Sequence, residues 1–341
     1  MNGSPYALLA KNSVSSVMLK VMAALIPGII AHAWFFGPGI WVSLFLCTGF
    51  AVALEGLILL MRNVPVKPFL SDGSVLVTAW LLALSLPTLA PWWLYAVGVV
   101  LAVLVAKHFY GGLGQNPFNP AMVGYAALIV SFPVYMTQWP APLGLADHSL
   151  TLLDAFDLVF AGQGSISPDA YTSATVLDTW KTQARLGLPA EDIRAMAMFG
   201  WAGARGQEFV AAAFAFGGLL MLAHRLITWH IPVAFLVGLA LTAGLLHLLD
   251  PGRHADPLFH LLSGGAMLGA FFIATDPVTA SSTPLGKLIY AGLAGFLTAL
   301  IRAFGGYPDG VAFAVLIANI CVPFIDAYTQ PRVFGHHKAG K

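Results

Sequence analysis

The sequence predicts an all-α polytopic membrane protein of about ten transmembrane helices, arranged as two inverted five-helix repeats with broken helices. Three observations carry that expectation. Hydrophobic residues make up 58% of the chain and charged residues only 9%, against roughly 25% charged in soluble domains. Ten apolar stretches approach the ~20 residues a helix needs to cross a bilayer. Two glycine-containing motifs also recur five helices further along the chain. The shortage of charge excludes a soluble enzyme, and a net charge of +1 provides no long-range field for nucleic acid. Cys47 and Cys321 both lie in apolar runs and are too few for a metal cage or an iron–sulfur cluster.

In order, the apolar stretches lie near 14–36, 40–61, 71–87, 90–108, 119–137, 208–228, 231–249, 258–275, 285–303 and 309–327. Lys11 and Lys20 before an apolar run, with Ala31-His-Ala33 as a small-x-small site, resemble a secretory signal. The apolar run continues through Trp34-Phe-Phe36 to spanning length, so the expectation is a retained first helix. The polar stretch 138–207 separates the fifth from the sixth. The chain thus divides into a first membrane repeat (1–137), an external loop (138–207), a second repeat (208–327) and a basic tail (328–341). Trp92-Trp93, Trp201 and Trp229 fit an aromatic belt at the membrane surface.

Lys and Arg asymmetry sets the orientation. With the N-terminus inside, the inner segments hold Lys11, Lys20, Arg62, Lys67, Lys107, Arg225, Lys287, Arg332, Lys338 and Lys341. The short outer loops hold only Arg253 and Arg302. Both termini are therefore expected in the cytoplasm and the 138–207 loop outside.

The internal echo pairs Ser71-Asp-Gly-Ser-Val-Leu-Val-Thr78 with Ser263-Gly-Gly-Ala-Met-Leu-Gly-Ala270. It also pairs Gly111-Gly-Leu-Gly-Gln-Asn-Pro-Phe-Asn-Pro-Ala121 with Phe304-Gly-Gly-Tyr-Pro-Asp-Gly-Val-Ala312. Repetition after an odd number of helices inverts the second copy. Gly111–Pro120 cannot run as a continuous helix, because three glycines and two prolines interrupt it. At membrane depth such backbone lines protein or a water-filled cavity. Its polar residues Gln115, Asn116 and Asn119 are candidates to hold a cofactor or an ion; the alternative is a surface loop.

Carboxylates within or beside apolar spans mark ion paths or functional pairs. By that rule Glu55, Asp72, Asp276 and Asp309 are candidate ion-path residues, with Asp326 at the end of the last span. Asp72 and Asp309 could instead cap helix N-termini, Asp276 and Asp326 could sit in water, and Glu55 could reach toward Arg62. The histidines, His32, His108, His148, His224, His230, His247, His254 and His260 among them, have no metal-ligand spacing. In the loop, Asp169-Ala-Tyr-Thr-Ser-Ala-Thr175 presents hydroxyls among small residues, open to a partner's active site. Thr175 is a candidate modification site there, or an ordinary loop threonine.

The stretch Tyr110–Tyr125, together with Leu268-Gly-Ala-Phe-Phe-Ile-Ala-Thr-Asp-Pro-Val-Thr-Ala280 and Gly305–Leu316, closely resembles RnfD, the D component of the Rnf ion-translocating electron-transport complexes, over essentially the whole chain. NqrB, the B component of the sodium-pumping NADH:quinone reductases, is a more distant likeness. The resemblance implies FMN esterified through its phosphate to Thr175, in a motif formed here by Asp169, Thr172, Ser173, Ala174 and Thr175. Ser173 departs from the glycine common in related motifs, without blocking modification. It also implies a separate flavin transferase using FAD outside the inner membrane, a non-covalent riboflavin in the membrane part, and Rnf subunits A, B, C, E and G as partners. Lys181 and Arg185, on a short helix after Thr175, could neutralise the phosphate or pair with Asp178 and other loop carboxylates.

The expectation is thus a membrane subunit that relays electrons through covalent FMN in a complex coupling ferredoxin–NAD(H) electron transfer to Na+ or H+ movement. The chain is a translocase subunit on this reading, not a complete enzyme. A solute channel or secondary transporter is the alternative, since broken helices in inverted repeats suit one equally well.

Overall fold

A computed structural model describes residues 14–146, 150–161 and 171–330. Asp169 of the threonine motif, His148 and the basic tail from residue 331 lie outside them. Helices dominate. α1 (Val14–Phe36) and α2 (Gly39–Met61) are followed by a short α3 (Val66–Leu70), then α4 (Ser74–Ser85) and α5 (Trp92–Val99). α5 continues through Val100–His108 with π-type spacing, Phe109 N–H donating to Leu104 O. α6 (Pro120–Ser131) and α7 (Pro133–Met136) lead into the polar stretch. That stretch contains β1 (Trp139–Pro140), α8 (Leu152–Ala161), β2 (Thr172–Ser173), α9 (Val176–Arg185) and α10 (Ala190–Arg194). The remainder is α11 (Gln207–Ala223), α12 (His230–Leu249), α13 (Pro257–Leu262), α14 (Ala266–Leu268), α15 (Pro284–Phe304) and α16 (Val311–Thr329). α14 also runs on in π spacing, over Gly269–Ile273.

Among the described residues, five helices are long and apolar enough to cross a membrane: α1, α2, α12, α15 and α16. Four more apolar helical stretches of 10–17 residues fall where the sequence placed spans. The expected span at 71–87 is the 12-residue α4, about 18 Å at 1.5 Å per residue, against a hydrocarbon core of ~30 Å. The one at 119–137 breaks at Pro133, which has no N–H to continue the ladder. The one at 258–275 is interrupted at Ser263–Gly265, where Gly264 adopts φ +62°.

Small residues set the closest helix contacts, as interfaces between apolar helices require. α11 packs along α1, and α15 along α12. A Cβ at Gly217 would overlap Ala24 O, and one at Gly295 would overlap Phe235 O. Where the two halves meet, Asn119 N–H donates to Asn319 Oδ1 (3.2 Å) and Asn119 Nδ2 to Ile273 O (3.2 Å). Asn319 Nδ2 donates in turn to Thr279 O and the Tyr290 hydroxyl. Both asparagines are buried, and they satisfy backbone groups that the broken helices leave free.

The loop is tied to one end of the bundle. Leu143 N–H donates to Phe35 O (2.8 Å) at the end of α1, and α8 packs on α2. Val176, Leu177 and Trp180 of α9 form a small core with Ile193, Ala204, Ala255 and Phe259.

Candidate functional site

Thr175 sits where the extended chain becomes a helix. β2 pairs with β1, Ser173 opposite Trp139 and Thr172 opposite Pro140. Two residues on, Thr175 has an extended backbone (φ −69°, ψ 151°), and its Oγ1 accepts from Asp178 N–H (3.3 Å) as the N-cap of α9. The free amides and dipole at such an N-terminus favour negative charge. Thr175 is half-buried and Ala174 exposed.

Ser173, Ala174 and Thr175 line a cavity of about 180 Å³. Apolar and aromatic side chains form most of its wall, among them Phe36, Met122 and Tyr125. His32 Nδ1 and Trp139 Nε1, both from residues on the wall, are buried with no hydrogen-bond partner among the described residues. Arg205 is exposed at the rim, with no ion pair among the described residues.

Lys181 faces elsewhere. Its Nζ donates to Gly305 O (3.0 Å) and Tyr307 O (2.7 Å), so it clamps α9 onto the glycine-rich break before α16. Partial burial pushes its pKa down from the usual lysine value. The arginine among the residues lining the Thr175 cavity is Arg205.

Asp309 also reaches this cavity. Its Oδ2 accepts from Gly265 N–H (2.7 Å) and Arg302 Nη2 (3.2 Å), and its Oδ1 accepts from Arg302 Nε (3.0 Å) and Val311 N–H (3.3 Å). Arg302 further donates to His260 O (2.5 Å) and Ser263 O (3.1 Å). Those contacts stitch together both sides of the break at Ser263–Gly265, over which Leu177 of α9 lies. A Cβ at Gly264 would meet Asp309 Oδ2 at 2.5 Å and Leu177 Cδ1 at 2.8 Å.

Glu55 is buried in a counterpart network. Lys107 Nζ donates to Glu55 Oε1 (2.8 Å) and Ser74 Oγ (3.2 Å), and His108 Nε2 lies 2.8 Å from Glu55 Oε2. Arg62 approaches His108 Nδ1 (3.3 Å) and Gly111 O (3.4 Å). Arginine can only donate, so Nδ1 accepts and Nε2 carries the proton it gives to Glu55. Glu55 therefore meets Arg62 through His108, not directly. Asp72 Oδ1 accepts from Ser74 N–H (2.7 Å) at the start of α4.

A second cavity, of about 290 Å³, opens beside Lys107, Ser74, Asn116, Asn119, Asp276 and Lys287. Asp276 accepts from Val278 N–H and the Thr279 hydroxyl, and no cation pairs with it among the described residues. Asn116 Nδ2 donates to Phe118 O (3.1 Å), while Gln115 is exposed. Asp326 takes bonds from Ser281 and Ser282.

Sequence reasoning missed Lys107, His108, Arg302 and Asn319. A signal for two of them was present: Lys107 precedes Gly111-Gly112 as Arg302 precedes Gly305-Gly306. Both cations are 3% exposed, so neither is a loop charge. Removing both from the orientation count leaves nine inner cations against one outer, and the asymmetry stands.

The model of the NQR2, RnfD, RnfE family matches residues 1–335. The D component of an ion-translocating oxidoreductase complex from Vibrio cholerae serotype O1 is 49% identical, covering 98% of each chain. The protein of the same description from Escherichia fergusonii is 50% identical over 98% of each chain. That from Yersinia enterocolitica is 50% identical over 97% of each.

Proposed function

Because this chain belongs to the NQR2, RnfD, RnfE family, we propose that it is a membrane subunit of an ion-translocating oxidoreductase complex and relays electrons through FMN esterified to Thr175. The observation that carries the reading is the position of Thr175, at once the N-cap of α9 and part of the wall of a largely apolar cavity. The relatives, named as the D component of such complexes, support the redox class over a solute channel.

The residues present fit the flavin. Thr175 Oγ would supply the ester oxygen, and the first amides of α9 would hold the phosphate with Arg205 as counter-charge. The apolar wall excludes water from the ring. His32 Nδ1 and Trp139 Nε1, which lack partners among the described residues, suit its polar edge. Bound FMN supplies one- and two-electron redox chemistry, and a phosphoester leaves the ring free while keeping it at high local concentration. Attachment by the flavin transferase joins Thr175 Oγ to the FMN phosphorus of FAD, breaks the pyrophosphate bond and releases AMP with the hydroxyl proton.

The other elements follow from the same reading. The chain forms ten spans in two inverted five-helix repeats, with both termini in the cytoplasm and Thr175 on the outer side of the inner membrane. The positive-inside count and the matched cation-plus-glycine breaks support this arrangement. The second cavity, beside the break of the first repeat, is the place for riboflavin. Among the carboxylates proposed for an ion path, Asp276 is the one that lines a cavity with no cation pairing with it among the described residues. Rnf subunits A, B, C, E and G complete the electron path and the coupling.

Fluorescence of the denatured protein in a gel tests the flavin. Protein made in a host possessing the transferase should fluoresce, and Thr175→Ala should be dark. Fluorescence in both, or in neither, overturns the assignment.

A further inference from the structure

The loop helix α8 has no single polar face. At about 100° per residue, its ten residues, Leu152–Ala161, fall into three sectors. Ala155, Leu158 and Val159 form one, are buried, and face the bundle, where α8 packs on α2. Leu152, Leu153, Phe156 and Phe160 form a second and are 52%, 77%, 44% and 42% exposed. Asp154 and Asp157 occupy the third, which also holds Ala161. The sectors are centred about 120° apart.

A helix surrounded by water on its free side needs one apolar stripe, and α9 in the same loop has that pattern. A helix spanning lipid would not carry two carboxylates in ten residues. Three sectors suit a helix lying at the corner where protein, lipid and water meet. The surface it adjoins has the same character. The end of α2 beside the loop exposes Trp41 and Phe45, an aromatic pair suited to the membrane surface. α8 carries no Lys or Arg, so attraction to anionic headgroups is not what holds it; burial of apolar area is.

We propose that α8 is an in-plane membrane helix, its Leu152–Leu153–Phe156–Phe160 face sunk among lipid acyl chains and its aspartates in water. The contact anchors the start of the segment that leads to Thr175, and it does not depend on any flavin. The occupant is lipid, and a neighbouring polypeptide is the competing outcome of the test.

The test uses p-benzoylphenylalanine, placed by nonsense suppression at position 153, 156 or 186 of the full chain within its complex in native membranes. Leu186, 71% exposed at the end of α9, reports on water. After irradiation, peptide mass spectrometry should find acyl-lipid adducts at 153 and 156 and none at 186. The aromatic replacement at Phe156 is conservative, so position 156 remains informative if the 153 variant fails to assemble. Adducts to another polypeptide at 156, or no lipid adduct there, would overturn the proposal. The readout is independent of Thr175, so its failure is distinguishable from failure of the flavin assignment.

Discussion

Lys107 and Arg302 stand in the same relation to two broken helices, yet their surroundings differ. Lys107 binds a side chain, Ser74 Oγ, and a carboxylate borrowed from α2. Arg302 binds backbone on both sides of its break through its own contacts and through Asp309. Over the Arg302 break the loop closes, with Leu177 against Gly264 and Lys181 on Gly305 and Tyr307. Both breaks border a cavity, but loop residues line the one at the Arg302 break, and among the described residues none of the 138–207 loop lines the one at the Lys107 break. One end is covered by the loop, and the other is not.

The largest expected effect is Arg302→Met. It strands the Asp309 carboxylate and two carbonyls, a loss of about 3–5 kcal/mol for breaking one side of a buried ion pair. Thermal dissociation of the solubilised complex should register it, together with reduced flavin attachment. Glu55→Gln should cost less, about 2 kcal/mol, because an amide oxygen still accepts from one donor while the charge is lost. If Glu55 also serves the ion path, reconstituted vesicles should take up ions more slowly with gel fluorescence unchanged; normal uptake rejects that role. Should the two variants prove equally damaging, the contrast between the two ends fails.

Gly264→Ala sharpens the same contrast. The substitution puts a Cβ against Asp309 and Leu177 at φ +62°, so a loss of about 1–3 kcal/mol is expected. Limited proteolysis should then cut the 138–207 loop faster, whereas wild-type rates would contradict the docking. Lys181→Met is the mildest, about 1 kcal/mol for two hydrogen bonds to carbonyls that water can reach. Its expected signature is faster proteolysis with flavin still attached.

The breaks at Pro133 and Gly264 went unforeseen because apolar residues on both sides read as one run, but the apolar runs reveal the helices because each periodic stretch is a local property of the chain. The short helix after Thr175 was legible for the same reason. The Glu55–Lys107 pair spans 52 positions and the Asn119–Asn319 junction 200, and no local pattern reports which distant partner a buried polar group finds. Lys107 and Arg302 were read as loop charges for that reason. α8 was missed because two apolar sectors and an acidic one blur any single amphipathic period. Asp169 lies outside the described residues, so the motif is placed from Tyr171 onward.

Peptide mass spectrometry of the complex, isolated from a host that possesses the flavin transferase, addresses the flavin assignment at the atom concerned. The peptide containing Thr175 should be heavier by one FMN less a molecule of water, with fragmentation locating the addition on that threonine. An unmodified Thr175 peptide, or FMN on a different residue, would contradict the assignment.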